Sequence, residues 1–192
     1  MVVVILKKLD VTTITQKVII PNVSPKQVYD AYVDPKKHSV FTNSKATGKA
    51  AVGCEFTAWD EYIFGKYLEL EVGKRVVQEW SSTDFPKDYP PSKLELTFCE
   101  IPEGTEITMV HSNVPKKQAD ETFQGWTEFY WMPLKEYFSK KSKAKNWELD
   151  AEHESVETFP TVNGARLYVS FSTRTKFPGS CAEVFRKKQN FH

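Results

Sequence analysis

An α+β fold is predicted here, with a curved antiparallel sheet cradling a long C-terminal helix and two short helices after the first strand. Three observations predict it. The run Gln118 to Lys140 has helical periodicity, with Phe123, Trp126, Tyr130, Leu134 and Phe138 on one face. Ahead of it come short segments of alternating apolar and polar residues joined by brief turns, the pattern of an antiparallel meander. Between the first such segment and the rest lie two helix-start signals.

Val11 to Ile20 is rich in β-branched residues and reads as the first strand. Ser24-Pro25-Lys26-Gln27 then has the form of a helix start: Ser24 as N-cap, Pro25 at the first helical position, Gln27 completing a capping box. Val28, Ala31 and Tyr32 fall on one face of that helix. Asp34-Pro35 ends it, because the residue before proline avoids the helical region, and opens a second short helix to about Thr42.

Strand signals follow in quick succession. Cys54, Phe56 and Ala58 alternate against Glu55, Thr57 and Trp59, and the turn Asp60-Glu61 leads into Tyr62 to Glu71. Lys74 to Trp80 is set off by Gly73. In Ser92 to Glu100 the apolar positions are Leu94, Leu96 and Phe98. In Thr105 to Ser112 they are Ile107, Met109 and His111, with a hairpin turn at Pro102-Glu103-Gly104.

The long helix would span roughly 34 Å at 1.5 Å per residue. Asp120 and Glu121 in its first turn and Lys140 and Lys141 at its end both suit the helix dipole. Pro133 removes a backbone donor, so a kink is expected near Phe129 to Met132. The aromatic stripe reads as core; the alternative is one wall of a ligand cavity or a partner groove. Residues 1–145 are read as one domain. Residues 146–192 are read as a polar linker and an extension, either docked or poorly ordered, with a strand-like run from Gly164 to Thr175. Its Ser180-Cys181-Ala182-Glu183 echoes the capped opening of the chain, by chance or as a truncated second copy.

The 192 residues, 40% hydrophobic and 14% aromatic, suffice for a sizeable core. The formal net charge of +1 gives no global reason to expect nucleic acid or membrane binding. The opening MVVVILKK is too short for a signal peptide or a membrane span. The three cysteines, Cys54, Cys99 and Cys181, are an odd number with no close pair, which fits thiols in a reducing, cytoplasmic compartment.

The region from about Thr13 to Phe138 resembles the family of activator-of-heat-shock-chaperone-ATPase homologues, within the helix-grip (START-like) group. The resemblance is carried by Ser24-Pro25-Lys26-Gln27-Val28-Tyr29 and by Phe56 to Gly65 across the first hairpin. Val77-Gln78-Glu79-Trp80, Gly104 to Ile107 and His111 to Pro115 continue it, and Gly125-Trp126 followed by Tyr130-Trp131 completes it on the long helix. It implies the helix-grip fold and a partner of the ninety-kilodalton heat-shock chaperone class. Two-domain members carry an additional N-terminal domain that contacts the chaperone. The few residues before Thr13 cannot form it, so a domain of the C-terminal type is expected.

Metal ligands need suitable spacing, and His38, His111, His153 and His192 are scattered, with no Cys-x-x-Cys or His-x-x-x-His. Gly48, Gly53, Gly65 and Gly73 are isolated, so they read as turn or bulge glycines and not as a phosphate loop. No nucleophile elbow or hydrolase triad is visible. No cofactor, metal or catalytic residue is therefore expected. His111 is read as a core histidine or as a polar group placed in a cavity.

Three functions remain. The first is a non-catalytic, chaperone-associated binding module. Trp131, about 140° around the helix from Trp126, is expected to be partly exposed as an interface anchor. Lys135, Lys140 and Lys141 form a basic helix end, read as dipole complement and solubility or as a face for an acidic partner. The second is a carrier or sensor of a small apolar ligand, with a cavity lined by Phe56, Phe98, Met109, Trp126 and Tyr130, and His111 as its polar group. The third is an enzyme of cyclase or hydrolase type.

Overall fold

The computed structural model describes residues 9–141. Strand β1 (Val11–Pro21) is followed by helices α1 (Pro25–Val33) and α2 (Pro35–Thr42). Six further strands come next: β2 (Thr47–Gly48), β3 (Glu55–Ala58), β4 (Ile63–Glu71), β5 (Arg75–Ser82), β6 (Ser92–Ile101) and β7 (Gly104–Pro115). They form one antiparallel sheet in the order β1-β7-β6-β5-β4-β3-β2. Every neighbouring pair except β1–β7 is a sequential hairpin, as short turns dictate. The two-residue β2 is the strand that periodicity could not reveal.

Local chemistry explains the two short helices. The Gln27 side-chain oxygen accepts from the Ser24 backbone N–H at 3.1 Å, closing one half of the capping box on α1. Asp34 ends α1 in an extended conformation and caps α2, its carboxylate accepting from the Lys36 and Lys37 N–H groups at 2.8 and 3.1 Å. Asn43 stops α2 in the left-handed region. Val28, Ala31 and Tyr32 are buried, and Tyr29 of α1 meets Phe98 of β6 edge-on, ring centroids 6.0 Å apart.

After β7 a 3-10 turn (Lys116–Gln118) leads into α3 (Ala119–Trp126), a π-helical turn (Thr127–Trp131) and a further helical stretch over 132–141. The widened turn lies just ahead of Pro133, which has no N–H to give the ladder. The irregularity expected at Phe129 to Met132 is thus a π-turn spanning Thr127–Trp131. Trp126, Tyr130, Leu134 and Phe138 are buried, whereas Phe123, assigned by periodicity to the same face, is 46% exposed. Alternation in β3, β6 and β7 sends Phe56, Leu94, Leu96, Phe98, Ile107, Met109 and His111 to the buried face. Gly65 in β4 is neither a turn nor a bulge residue: a Cβ there would lie 2.0 Å from the Glu79 carbonyl oxygen and 2.8 Å from the Phe56 ring. The break in register falls later, between Tyr67 and Glu69. The expected boundary near 145 and the strand-like Gly164 to Thr175 lie outside the described residues.

Candidate functional site

An apolar cavity of about 440 Å³ opens between the long helix and the end of the β4–β5 hairpin. The helix supplies Gly125, Trp126, Phe129 and Tyr130, and the strands supply Ile63, Trp80 and Ser82. Trp59 and Phe85 come from the turns at that end. Tyr62, Asp84, Gln118, Glu121 and Thr122 join Ser82 as the polar part of the lining, which contains no lysine, arginine or histidine. Its size lies within the roughly 300–1,000 Å³ of small-molecule sites.

Two backbone irregularities shape it. The π-turn carries Phe129 and Tyr130, and such turns recur where helices build sites. Trp59, Asp60 and Glu61 are three consecutive residues with φ of 55°, 52° and 71°, the left-handed region that side chains other than glycine rarely occupy. The segment is held by Asp60 N–H to the Lys45 carbonyl at 3.1 Å, and by Ser44 Oγ donating to the Asp60 carboxylate at 2.7 Å. This stored strain presents Trp59 to the cavity, its ring 5.5 Å from Phe129 and 6.2 Å from Tyr130.

At the rim the Tyr62 hydroxyl donates to the Asp84 carboxylate at 2.5 Å, and Gln118 Nε2 donates to the Asp84 carbonyl at 2.9 Å. Desolvation, then the hydrogen bond and charge of Asp84, push the Tyr62 phenol up to about 12. The Gln118 side-chain oxygen is buried without a hydrogen-bond partner among the described residues.

Behind the cavity runs a closed chain of hydrogen bonds. Trp126 Nε1–H donates to His111 Nδ1 at 3.2 Å, and His111 Nε2 faces Ser92 Oγ at 2.7 Å. Ser92 Oγ in turn donates to the Trp80 carbonyl at 2.7 Å. An indole can only donate, so Nδ1 must carry a lone pair and Nε2 the proton, and every group is satisfied by a neutral imidazole. Burial lowers the His111 pKa to about 3, in keeping with that state. His38 has the other tautomer: Nδ1 donates to the Tyr32 carbonyl at 2.8 Å, and burial lowers its pKa too.

Of the six residues expected to line a cavity, Trp126 and Tyr130 do so. Phe98, Met109 and His111 are packed in the core, and His111 acts as a structural bridge with no cavity face. Phe56 lies 5.0 Å from Tyr67, ring to ring, and borders a void of about 10 Å³ beside Tyr32 and His38 and a separate pocket of about 260 Å³ with Phe64 and Gly65, not the aromatic cavity. All four point inward as their alternation requires, but strand parity does not say which part of the inner face is filled. The residues missed are Trp59, Trp80, Phe85 and Phe129. Their joint placement had no local signal in the sequence.

Trp131 is a correction: it is 4% exposed, not an exposed anchor. It stacks on Trp126 with centroids 5.2 Å apart and planes 20° apart, and its indole N–H donates to Gln16 Oε1 at 2.6 Å. The expectation of 140° assumed 100° per residue throughout. An i→i+5 turn advances less per residue and brings Trp131 back toward the face of Trp126. Lys135, Lys140 and Lys141 are exposed, and Lys140 pairs with Glu136 at 2.7 Å.

A long helix gripped by an open antiparallel sheet, with two short helices after the first strand, defines a helix-grip (START-like) domain. The chain belongs to the family described as Activator of Hsp90 ATPase homolog 1-like protein, whose model matches residues 22–139. It is similar to human "Activator of 90 kDa heat shock protein ATPase homolog 1", at 27% identity over 115 residues, 60% of this chain and 34% of that protein. It is similar also to the Dictyostelium discoideum homologue, at 28% identity over 121 residues, 62% of this chain and 31% of that protein. The chain thus spans about a third of the length of the curated relatives it matches. Among solved structures, protein MLL2253 from Mesorhizobium loti superposes with a TM-score of 0.59 at 19% identity, covering 67% of this chain and 98% of that one. An HSP90 activator from Plasmodium falciparum does so with a TM-score of 0.53 at 20% identity, covering 64% and 90%. These two likenesses concern the fold alone. Among the described residues no helix is long and apolar enough to cross a membrane, and no group of three or more His, Cys, Asp or Glu could hold a metal ion.

Proposed function

We propose that this chain is a non-catalytic, cytoplasmic binding module that engages a chaperone of the ninety-kilodalton heat-shock class and alters its ATPase rate. The observation that carries the proposal is family membership over residues 22–139. Supporting it, the long helix leaves Met132 exposed by 61%, and Phe129, which also borders the cavity, by 51%, with Lys135 and Lys140 on the following turns. Apolar anchors beside a basic rim suit an acidic protein surface. Binding would act by favouring one conformational population of the chaperone. The test is to add the full chain to the purified cognate chaperone and measure both association and ATP turnover. A changed rate supports the reading, and no association with no change removes it.

A second reading is favoured by the cavity: the domain holds a small molecule between helix and sheet. A concave apolar space of about 440 Å³ with few polar groups is the form such sites take. Native mass spectrometry of the purified chain should then show a retained small molecule, or a mass shift when candidate ligands are added.

A further inference from the structure

The cavity has a sided chemistry that narrows what it holds, on the reading that it holds a small molecule. Its walls are aromatic: Trp59, Trp80, Phe85, Trp126, Phe129 and Tyr130 all contribute. These rings form one connected set, with Trp80 at 5.5 Å from Phe85, Trp126 at 6.3 Å from Trp80, Tyr130 at 4.4 Å from Trp126, and Phe129 joined through Trp59. An aromatic face carries negative quadrupolar potential and attracts a cation held within about 6 Å.

The charged groups of the lining lean the same way, while the Ser82 and Thr122 hydroxyls and the Gln118 amide can donate as well as accept. Asp84 and Glu121 are carboxylates; two buried atoms of lining residues lack a hydrogen-bond partner among the described residues, the Gln118 side-chain oxygen, an acceptor, and the Trp59 indole N–H, a donor. The Tyr62 hydroxyl spends its proton on Asp84. No lysine, arginine or histidine lines the cavity to neutralise the two carboxylates. A negatively charged or purely acceptor ligand would meet like charge at the rim. A neutral hydrocarbon would fill the walls and leave the rim acceptors unused. An organic cation satisfies both.

We propose that the cavity between the long helix and the β4–β5 end is a binding site for an organic ammonium cation, with its apolar body among the tryptophans and its charge between the ring faces and the Asp84 and Glu121 carboxylates. The probes are benzyltrimethylammonium, its neutral isostere neopentylbenzene, and the anion phenylmethanesulfonate. Each is titrated into the full chain while the tryptophan indole N–H resonances are followed by NMR. The cation should bind about tenfold tighter than the isostere, and the anion weakest, as cation–π attraction in a partly desolvated site gives. In Glu121→Gln, a change at an exposed position, and in the Asp84→Asn, Glu121→Gln pair, the cation's advantage should shrink severalfold while the isostere's affinity stays. Isostere and cation binding equally in the wild type, or a ratio unmoved by the carboxylate changes, overturns the cation proposal and leaves the cavity reading intact. If none of the three probes moves an indole resonance, the small-molecule reading falls with it.

Discussion

His111 shows how much one buried side chain can impose. Its neutral form is the one that accepts from Trp126 and donates to Ser92, so protonation would set an N–H against an N–H. The folded pKa of about 3 lies below the unfolded value near 6.5, so the unfolded chain takes up the proton first as pH falls. Stability is therefore full above about pH 6.5 and declines toward pH 3. Thermal or urea unfolding at pH 5 should show about 2 kcal/mol less stability than at pH 7. His38, also lowered by burial, adds in the same direction. The His111→Gln variant should be less stable at pH 7 yet show a flatter slope between pH 7 and 5; an unchanged slope would refute the account. Gly125 makes a second residue-scale point. A Cβ there would meet only the Phe129 ring, at 3.7 Å, so the backbone does not require glycine. Gly125→Ala should raise stability by about 0.5–1 kcal/mol through helix propensity. It should also weaken any ligand by narrowing the cavity, a combination read by calorimetry on one sample.

At the scale of elements, the long helix is joined to the sheet by packing, by the Trp126–His111 hydrogen bond and by a polar clamp on β1. Gln16 on β1 accepts from the Trp131 indole and donates through Nε2 to the Phe123 carbonyl at 2.8 Å. Gln16→Ala would leave the Trp131 N–H buried and unpaired, costing about 1–3 kcal/mol. Gln16→Glu keeps an acceptor for the indole and should recover part of that loss in urea unfolding; equal losses in both variants would mean that the indole bond contributes nothing. Trp126 and Tyr130 were legible as helix-face residues because their spacing of four fits α-geometry. Trp131 was misplaced because its spacing of five crosses the π-turn. Phe123 was misplaced for a different reason: periodicity identifies a face but not how far the sheet extends beneath it.

At the scale of the whole molecule, the outer surface of the long helix is where the proposed chaperone contact can be tested. Reversing charge at Lys135 and Lys140 (Lys135→Glu with Lys140→Glu) should weaken chaperone association severalfold at low salt and much less at high salt, while the melting temperature moves little. Association unaffected at either salt concentration would place the contact elsewhere. The charge on this surface was readable from the basic helix end, and so was its exposure. The cavity was one alternative left open by the sequence, with Trp126 and Tyr130 among its expected walls; Trp59, Trp80, Phe85 and Phe129 were not expected, since they come from the β3–β4 turn, β5, the loop after it and the π-turn.

The order of elements other than β2, the capped helices, the hairpin meander and the inward-facing parity of β3, β6 and β7 follow from the chain alone, because caps, turns and periodicity act over a few residues. So does the family resemblance. Where the inner face is filled and where it stays open was decided by tertiary packing. The tautomer of His111 and the rotation of Trp131 were decided the same way, since each depends on groups that folding brings together from separate strands and the long helix.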